Sequence, residues 1–241
     1  MNNRIQSILF LLCINREEGE RKMKKKVCRV MTTAAIVGGL LISAGTAPIR
    51  AEEYPEMIVF ADVPVGHWAY DDIMDLVYHK FLEGYGNGKF GVEDYVTREQ
   101  VAAVIYRTLQ LEHKGPLKNP YNDISERSTM FPKEILALTE RGIFKGNENG
   151  NFRPIAPLTR AEMAQILTRT FEFEVKRQHT FYDVPDNHWA KEAISALQSN
   201  KVVIGTGNGK FEPSAFVTRE QYAKFLNQAI IHYHIKDEVD A

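Results

Sequence analysis

The sequence predicts an all-α protein made of three tandem copies of one helix–loop–helix unit. Three observations carry this. A short aspartate motif opens at Phe60-Ala61-Asp62-Val63 and returns as Tyr121-Asn122-Asp123-Ile124 and Phe181-Tyr182-Asp183-Val184. Each copy then passes a glycine-rich loop: Gly84-Tyr85-Gly86-Asn87-Gly88, Gly146-Asn147-Glu148-Asn149-Gly150 and Gly205-Thr206-Gly207-Asn208-Gly209. Each finally reaches a Thr-Arg dipeptide, at Thr97-Arg98, Thr159-Arg160 and Thr218-Arg219. The aspartates lie 61 and 60 residues apart, a period that marks a repeat architecture. The units run over 59–112, 119–174 and 179–234, with polar linkers at 112–120 and 174–179.

Ahead of the repeats, residues 23–51 read as a secretion signal. Lys24-Lys25-Lys26 is the basic start, Ala34 to Leu41 lies in an apolar stretch, and Ile49-Arg50-Ala51 is the expected cleavage site. The apolar run falls short of the ~20 residues a membrane span needs, so no span is expected in the mature form. An uncleaved anchor helix is the alternative. Residues 1–22 read as a mis-assigned upstream start, because Arg16 to Lys22 can be encoded almost wholly by purines, as a bacterial ribosome-binding site would be. Met23 is the expected first residue.

Both cysteines, Cys13 and Cys28, precede the expected cleavage site. A mature chain without thiols excludes thiol catalysis and cysteine-ligated metal. Residues 1–51 hold nine of the 30 Lys/Arg and three of the 31 Asp/Glu. That leaves 21 and 28 in residues 52–241, a net charge of −7. An acidic chain argues against a nucleic-acid partner, whose phosphates require clustered cations.

Within repeat 1 the first helix is expected to start near Trp68. Tyr70, Ile73, Met74, Val77 and Phe81 form one apolar stripe at helical spacing. Trp189, Ile194, Leu197 and Val202 mark the same element in repeat 3. The glycine-rich loop is expected to end it, since Asn-Gly favours turns with positive φ. An aromatic follows each loop, at Phe90, Phe152 and Phe211, and is read as a plug onto the core.

The second helix begins at the threonine. Thr97, Thr159 and Thr218 are followed three residues later by Gln100, Glu162 and Gln221, the spacing of a capping box. The stripes behind them are Val101, Val104, Ile105 and Leu109; Met163, Ile166, Leu167 and Phe171; and Tyr222, Phe225, Leu226 and Ala229. One such helix pair is too small to bury a good core. Three can pack their stripes around a pseudo-threefold axis.

The arginines break a local rule. A helix N-terminus is the positive end of the dipole and prefers acids, yet Arg98, Arg160 and Arg219 occupy the first helical position in all three copies. A rule broken three times points to a role elsewhere. Helix-terminal amides plus a guanidinium would hold an anion such as a carboxylate or phosphate. Alternatively each arginine bridges to an acid of a neighbouring repeat, Asp62, Asp123 and Asp183 being the candidates. Trp68 and Trp189, in His67-Trp68-Ala69 and His188-Trp189-Ala190, have two readings as well: stacking on sugar C–H surfaces, or starting the hydrophobic stripe.

At these residues the sequence resembles the S-layer homology (SLH) domain family. The matching motifs are the Phe-x-Asp-Val opening, His-Trp-Ala, the glycine loop ending in Gly-x-Phe, and Thr-Arg-Ala-Glu. The resemblance implies a pseudo-trimeric module with one helix per repeat in a central three-helix bundle and ligand grooves between repeats. It implies non-covalent anchoring to a Gram-positive cell wall through a secondary cell wall polysaccharide, often with a pyruvate ketal on N-acetylmannosamine. The ligand-binding residues it implies are Arg98, Arg160, Arg219, Trp68, Trp189, Asp62, Asp123 and Asp183. Gly84, Gly146 and Gly205 would let the backbone approach the sugar. Other S-layer proteins are further possible partners, and no cofactor is implied.

Repeat 2 departs from the pattern. It reads Ser128-Thr129-Met130-Phe131-Pro132 where the others have His-Trp, and Glu148 where they have Gly86 and Gly207. One groove is therefore expected to be weak. Two competing readings have less behind them. A wall-degrading enzyme would need a catalytic constellation, and Asp71-Asp72 is read as a solvated helix face. A calcium module could use Asn147, Asn149 and Asn151, and His232-Tyr233-His234 could touch a metal, but neither set has the ligands of a defined site.

Overall fold

The computed structural model describes residues 58–239. The upstream start, the signal segment and both cysteines lie outside them. Six helices form in these residues. The first helices of the repeats are α1 (Tyr70–Tyr78), α3 (Pro132–Glu140) and α5 (Lys191–Ser199). The second helices are α2 (Arg98–Thr108), α4 (Arg160–Thr170) and α6 (Arg219–Val239). Among the described residues the extended backbone is confined to isolated bridges such as Tyr95–Thr218, Thr97–Pro157 and Thr159–Phe216. No described helix is long and apolar enough to cross a membrane.

The face that α1 buries is rotated from the expected stripe. Ile73 and Val77 are buried, but their companions are Leu76 and Asp72, while Tyr70 and Met74 are half-buried. Asp72 is thus a buried carboxylate rather than a solvated one. Its Oδ1 accepts from Asn227 Nδ2 at 2.9 Å and Gln228 Nε2 at 3.4 Å, both on α6. A buried carboxylate needs such donors.

Helix ends also differ from expectation. The first helices stop several residues before the glycine loops, at Lys80, Gly142 and Lys201, which have φ of 60°, 71° and 63°. The next amide folds back five residues in each: Phe81 to the Leu76 carbonyl, Ile143 to Leu138, and Val202 to Leu197. This left-handed cap satisfies the last carbonyls and turns an apolar residue back onto the core. At the helix starts, the capping boxes of Thr97–Gln100 and Thr159–Glu162 are complete. The third is one-sided. Gln221 accepts from the Thr218 amide at 3.3 Å, but Thr218 Oγ1 is buried with no partner.

Helices pack across repeat boundaries. The second helix of each repeat lies on the first helix of another: α2 on α3, α4 on α5, and α6 on α1. The residues before the three Thr-Arg dipeptides bond in the same closed order. Leu158 N–H donates to the Val96 carbonyl at 3.0 Å, Val217 to Leu158 at 2.9 Å, and Val96 to Val217 at 3.0 Å. The sequence repeat and the packing unit are therefore offset by one helix. The predicted stripes of α2 and α4 are buried along their whole length, and in α6 only Phe225 stays half-buried.

Candidate functional site

Each opening aspartate latches a loop of its own repeat. Asp62 accepts from the amides of Phe90, Gly91 and Val92 at 2.8, 2.7 and 3.2 Å. Asp123 accepts from Phe152 and Arg153, both at 2.7 Å. Asp183 accepts from Phe211 and Glu212 at 2.8 and 2.7 Å. Burial pushes the carboxyls of Asp62 and Asp183 up, but the amides outweigh it and hold both below the ordinary aspartate value. Among the described residues no ion pair joins these aspartates to Arg98, Arg160 or Arg219. The alternative that made them bridging partners is thereby corrected: backbone amides already occupy their oxygens.

The latched phenylalanine is where two repeats meet. Phe90, Phe152 and Phe211 are fully buried, and each ring lies against the aromatic that opens its repeat. Each carbonyl accepts Nε of an arginine from another repeat: Arg98 to Phe152 at 2.8 Å, Arg160 to Phe211 at 2.6 Å, and Arg219 to Phe90 at 3.0 Å. The guanidinium carbon sits 4.7–4.8 Å from the same ring centroid. This hydrogen bond and cation–π contact recur in all three copies and staple each arginine's repeat to another. This explains the break in the dipole rule. The arginines are 5%, 4% and 7% exposed, and burial lowers each guanidinium pKa.

The helix-terminal amides expected to help bind an anion are already engaged. Arg98, Arg160 and Arg219 N–H donate to the carbonyls of Ala156, Ala215 and Asp94. Glu99 and Ala161 N–H donate to those of Pro154 and Pro213. What remains for an anion is the rest of each guanidinium, and there the three repeats differ. Arg98 donates Nη1 to Glu162 Oε1 and Nη2 to the Lys145 carbonyl, both at 2.9 Å. Glu162 Oε1 is shared with the more exposed Arg153 at 3.2 Å. Arg219 donates Nη2 to the Glu83 carbonyl at 2.9 Å and lies beneath the Tyr85 ring, whose hydroxyl donates to Asp94. Arg160 lies between Phe211 and Phe225, and its Nη2 is buried with no partner.

The loop glycines face inward. A Cβ on Gly84 would strike the Phe60 ring and the Lys89 carbonyl, and one on Gly205 would strike Phe181 and the Lys210 carbonyl. On Gly146 it would stand 2.6 Å from the Tyr121 ring and 2.8 Å from the Asn151 carbonyl. Close approach of loop to aromatic requires glycine at these three positions, whether or not a sugar is present. Asn147 Oδ1 accepts from the amides of Asn149 and Asn151, so its oxygen closes the loop on itself. Among the described residues no three His, Cys, Asp or Glu side chains converge as a metal site.

The tryptophans stand apart from the arginines. Trp68 and Trp189 are 53% and 60% exposed, while the alanines that follow them are fully buried. The hydrophobic stripe therefore begins at Ala69 and Ala190. Each Trp ring packs on the preceding histidine, and Lys224 Nζ of α6 lies 5.5 Å from the Trp68 centroid. Trp68 precedes α1, whereas Arg219 reaches Glu83 beyond its other end. A nine-residue helix is ~13 Å long, so one sugar ring cannot touch both. In repeat 2 Met130 occupies the exposed position, while Thr129 is buried and donates to Glu99.

Sequence reasoning missed the phenylalanine carbonyls as arginine acceptors, although the Gly-x-Phe spacing marked the residues. The role of Glu162 was signalled by its being the only acid in the Gln/Glu/Gln series. Tyr85 and Lys224 carry no signal, because neither recurs in the other copies.

The family model for the S-layer homology domain matches residues 59–102, 120–164 and 180–223, more than half of the chain. Similar proteins include an S-layer protein of Bacillus licheniformis, 30% identical over 84% of this chain and 22% of its own length. The S-layer protein EA1 of Bacillus anthracis is 30% identical over 90% of this chain and 24% of its own length. An endoglucanase of Bacillus sp. (strain KSM-635) is 30% identical over 78% of this chain and 20% of its own length. The chain spans about a quarter of the length of these relatives.

Proposed function

Because the chain belongs to the S-layer homology domain family, we propose that it anchors itself non-covalently to the cell wall, as an S-layer or S-layer-associated protein. Its ligand in this reading is an acidic secondary cell wall polysaccharide, pyruvylated on N-acetylmannosamine. Repeats 59–112, 119–174 and 179–234 form one pseudo-threefold module after removal of an export signal over 23–51. The polysaccharide lies in the grooves where the second helix of one repeat meets the first helix of another. Trp68 and Trp189 stack on sugar rings at one end of the groove. Arg98, Arg160 and Arg219, with their aspartate-latched and glycine-bearing loops, form the other end. The role is binding; catalysis in the endoglucanase relative is a property of that longer protein.

The observation that carries this reading is the exposure of Trp68 and Trp189 at the same place in two repeats. No packing requirement explains an exposed indole beside a fully buried alanine, whereas a saccharide surface does. The test is co-sedimentation of the full chain with cell-wall sacculi, intact or stripped of their polysaccharide. Binding to intact sacculi alone is expected, with loss in a Trp68→Ala/Trp189→Ala variant. Equal binding to stripped sacculi, or full binding by the double variant, would sink the reading.

A further inference from the structure

The N-cap residue of each first helix, Ala69, Phe131 and Ala190, has an amide that the three copies satisfy differently. In repeat 1 the Ala69 N–H donates to His67 Nδ1 at 3.2 Å, and in repeat 3 the Ala190 N–H donates to His188 Nδ1 at 3.1 Å. In repeat 2 the Phe131 N–H donates to a hydroxyl, Thr129 Oγ1, at 3.1 Å. A threonine therefore suffices to satisfy this amide. An imidazole stands there only in the two copies whose next residue is tryptophan, repeat 2 having Met130 instead. The imidazole adds what a hydroxyl lacks, a ring against the indole. The centroids are 5.6 Å apart at His67–Trp68 and 5.7 Å at His188–Trp189, with interplanar angles of 32° and 26°. The backbone of both histidines is pinned. Their amides donate to the Pro64 and Pro185 carbonyls, and their carbonyls accept from Tyr70 and Lys191, all at 2.9 Å. Each imidazole residue is half-buried beside an exposed tryptophan. A ring nitrogen that accepts an N–H carries no proton, so both rings are held as the neutral Nε2–H tautomer.

We propose that His67 and His188 are positioning residues for the two indoles: each neutral imidazole holds its tryptophan as a platform for a sugar ring, and each releases it on protonation. The inference rests on the wall-binding reading and makes that binding weaken in mildly acidic surroundings. A proton on Nδ1 sets one N–H against the alanine N–H. The ring must then swing off that amide, and its contact with the indole goes with it. Histidine is the side chain whose charge changes between about pH 8 and about pH 5. Beside Trp68 stands Lys224 of α6, with Asp71 and Asp72 in the first turn of α1. Beside His188 are the Asp186–Lys191 pair, 2.9 Å apart, which also acts on His179, and Glu192 in the first turn of α5. On α4 the neutral Gln165 takes the place of Lys224. The chain itself shows a substitution that separates accepting from stacking. Asn119 Oδ1 accepts from the Tyr121 amide at 2.9 Å where, in repeat 3, His179 Nδ1 accepts from the Phe181 amide at 3.2 Å. An asparagine thus replaces the accepting nitrogen of an imidazole but has no ring to stack and no charge to gain.

The test uses the full chain, whose two tryptophans are Trp68 and Trp189, so its indole fluorescence reads these motifs alone. Acrylamide quenching of the unsubstituted chain is expected to rise as pH falls from about 8 to about 5, because the freed indoles gain access to water, with circular dichroism unchanged. The His67→Asn/His188→Asn variant is expected to keep its melting temperature and to show high quenching at both pH values. In co-sedimentation with polysaccharide-bearing sacculi, the unsubstituted chain is expected to bind severalfold more weakly at the lower pH. The variant is expected to bind at that weaker level at both. Quenching that ignores pH in the unsubstituted chain overturns the inference, and this reading needs no variant. A variant that matches the unsubstituted chain in quenching and binding at the upper pH overturns it as well. If the chain sediments with sacculi while quenching ignores pH, only this inference fails. If the chain never sediments with them, the anchoring function fails, and the quenching curves alone decide whether the imidazoles hold the indoles.

Discussion

Replacing Arg98 and Arg160 separately by methionine should give unequal losses of stability, although the two occupy the same place in the repeat. Methionine keeps much of the apolar stem and removes the charge. At Arg98 the substitution strands Glu162, 20% exposed, and frees the carbonyls of Phe152 and Lys145. Breaking a buried ion pair costs about 3–5 kcal/mol, and Glu162's residual access to water and to Arg153 places this case near 3. At Arg160 a single hydrogen bond, to the Phe211 carbonyl, is lost along with two aromatic contacts. An unpartnered buried N–H disappears at the same time, a gain of about 1–3 kcal/mol that offsets most of the lost charged bond. The net loss is about 1 kcal/mol. The gap of about 2 kcal/mol corresponds to roughly 4–8 °C in Tm for a protein of this size. Urea unfolding followed by circular dichroism, with equal m-values for both variants, reads it directly. A loss in Arg160→Met as large as that in Arg98→Met would show that Arg160 Nη2 is satisfied in solution and would refute the reasoning.

Three further outcomes follow from contacts described above. Gly146→Ala should cost about 1–3 kcal/mol through overpacking on Tyr121 and Asn151, and Gly86→Ala, with open space but φ +78°, about 1–2, measured by thermal melts; a Gly146→Ala protein as stable as the unsubstituted one would contradict the inward-facing loop. Thr218→Val should be near neutral, since the buried Oγ1 has no partner, while Thr159→Val should cost about 1 kcal/mol through its cap; denaturant midpoints decide, and a large loss at Thr218 would mean the hydroxyl is bonded. Asp62 and Asp183 have folded pKa values below their unfolded ones, so their contribution is complete above about pH 4 and disappears as pH falls through the folded values. Asp183→Asn should therefore flatten the acid limb of a stability–pH profile, and an unchanged limb would remove the latch from the account of acid sensitivity.

Much of the architecture was legible before any coordinates. Period, capping boxes and apolar spacing identify six helices in three copies, because each signal is local: a threonine caps the amide three residues on, and a stripe follows from 3.6 residues per turn. The same locality explains the errors. Trp68 and Trp189 were as consistent with a stripe as with a sugar platform, since spacing does not reveal which face of a helix start meets a neighbour. Asp72 looked like a surface acid because its donors, Asn227 and Gln228, lie 155 and 156 residues away.

The arginines divide the two sources of information most clearly. Sequence alone established that three arginines break the dipole preference and so must act beyond their own helix. It also flagged the phenylalanines and loop glycines as repeated, and Glu148 as different from its counterparts. Only the tertiary structure decided what the arginines touch, because every partner is in another repeat: Phe152 is 54 residues from Arg98, and Phe90 is 129 from Arg219. Whether a guanidinium is fully bonded depends on single carbonyls: Lys145 and Glu83 accept from Arg98 and Arg219, while Arg160 Nη2 has no partner. Residue types recur from copy to copy along this chain, but hydrogen-bond satisfaction is a property of the folded structure.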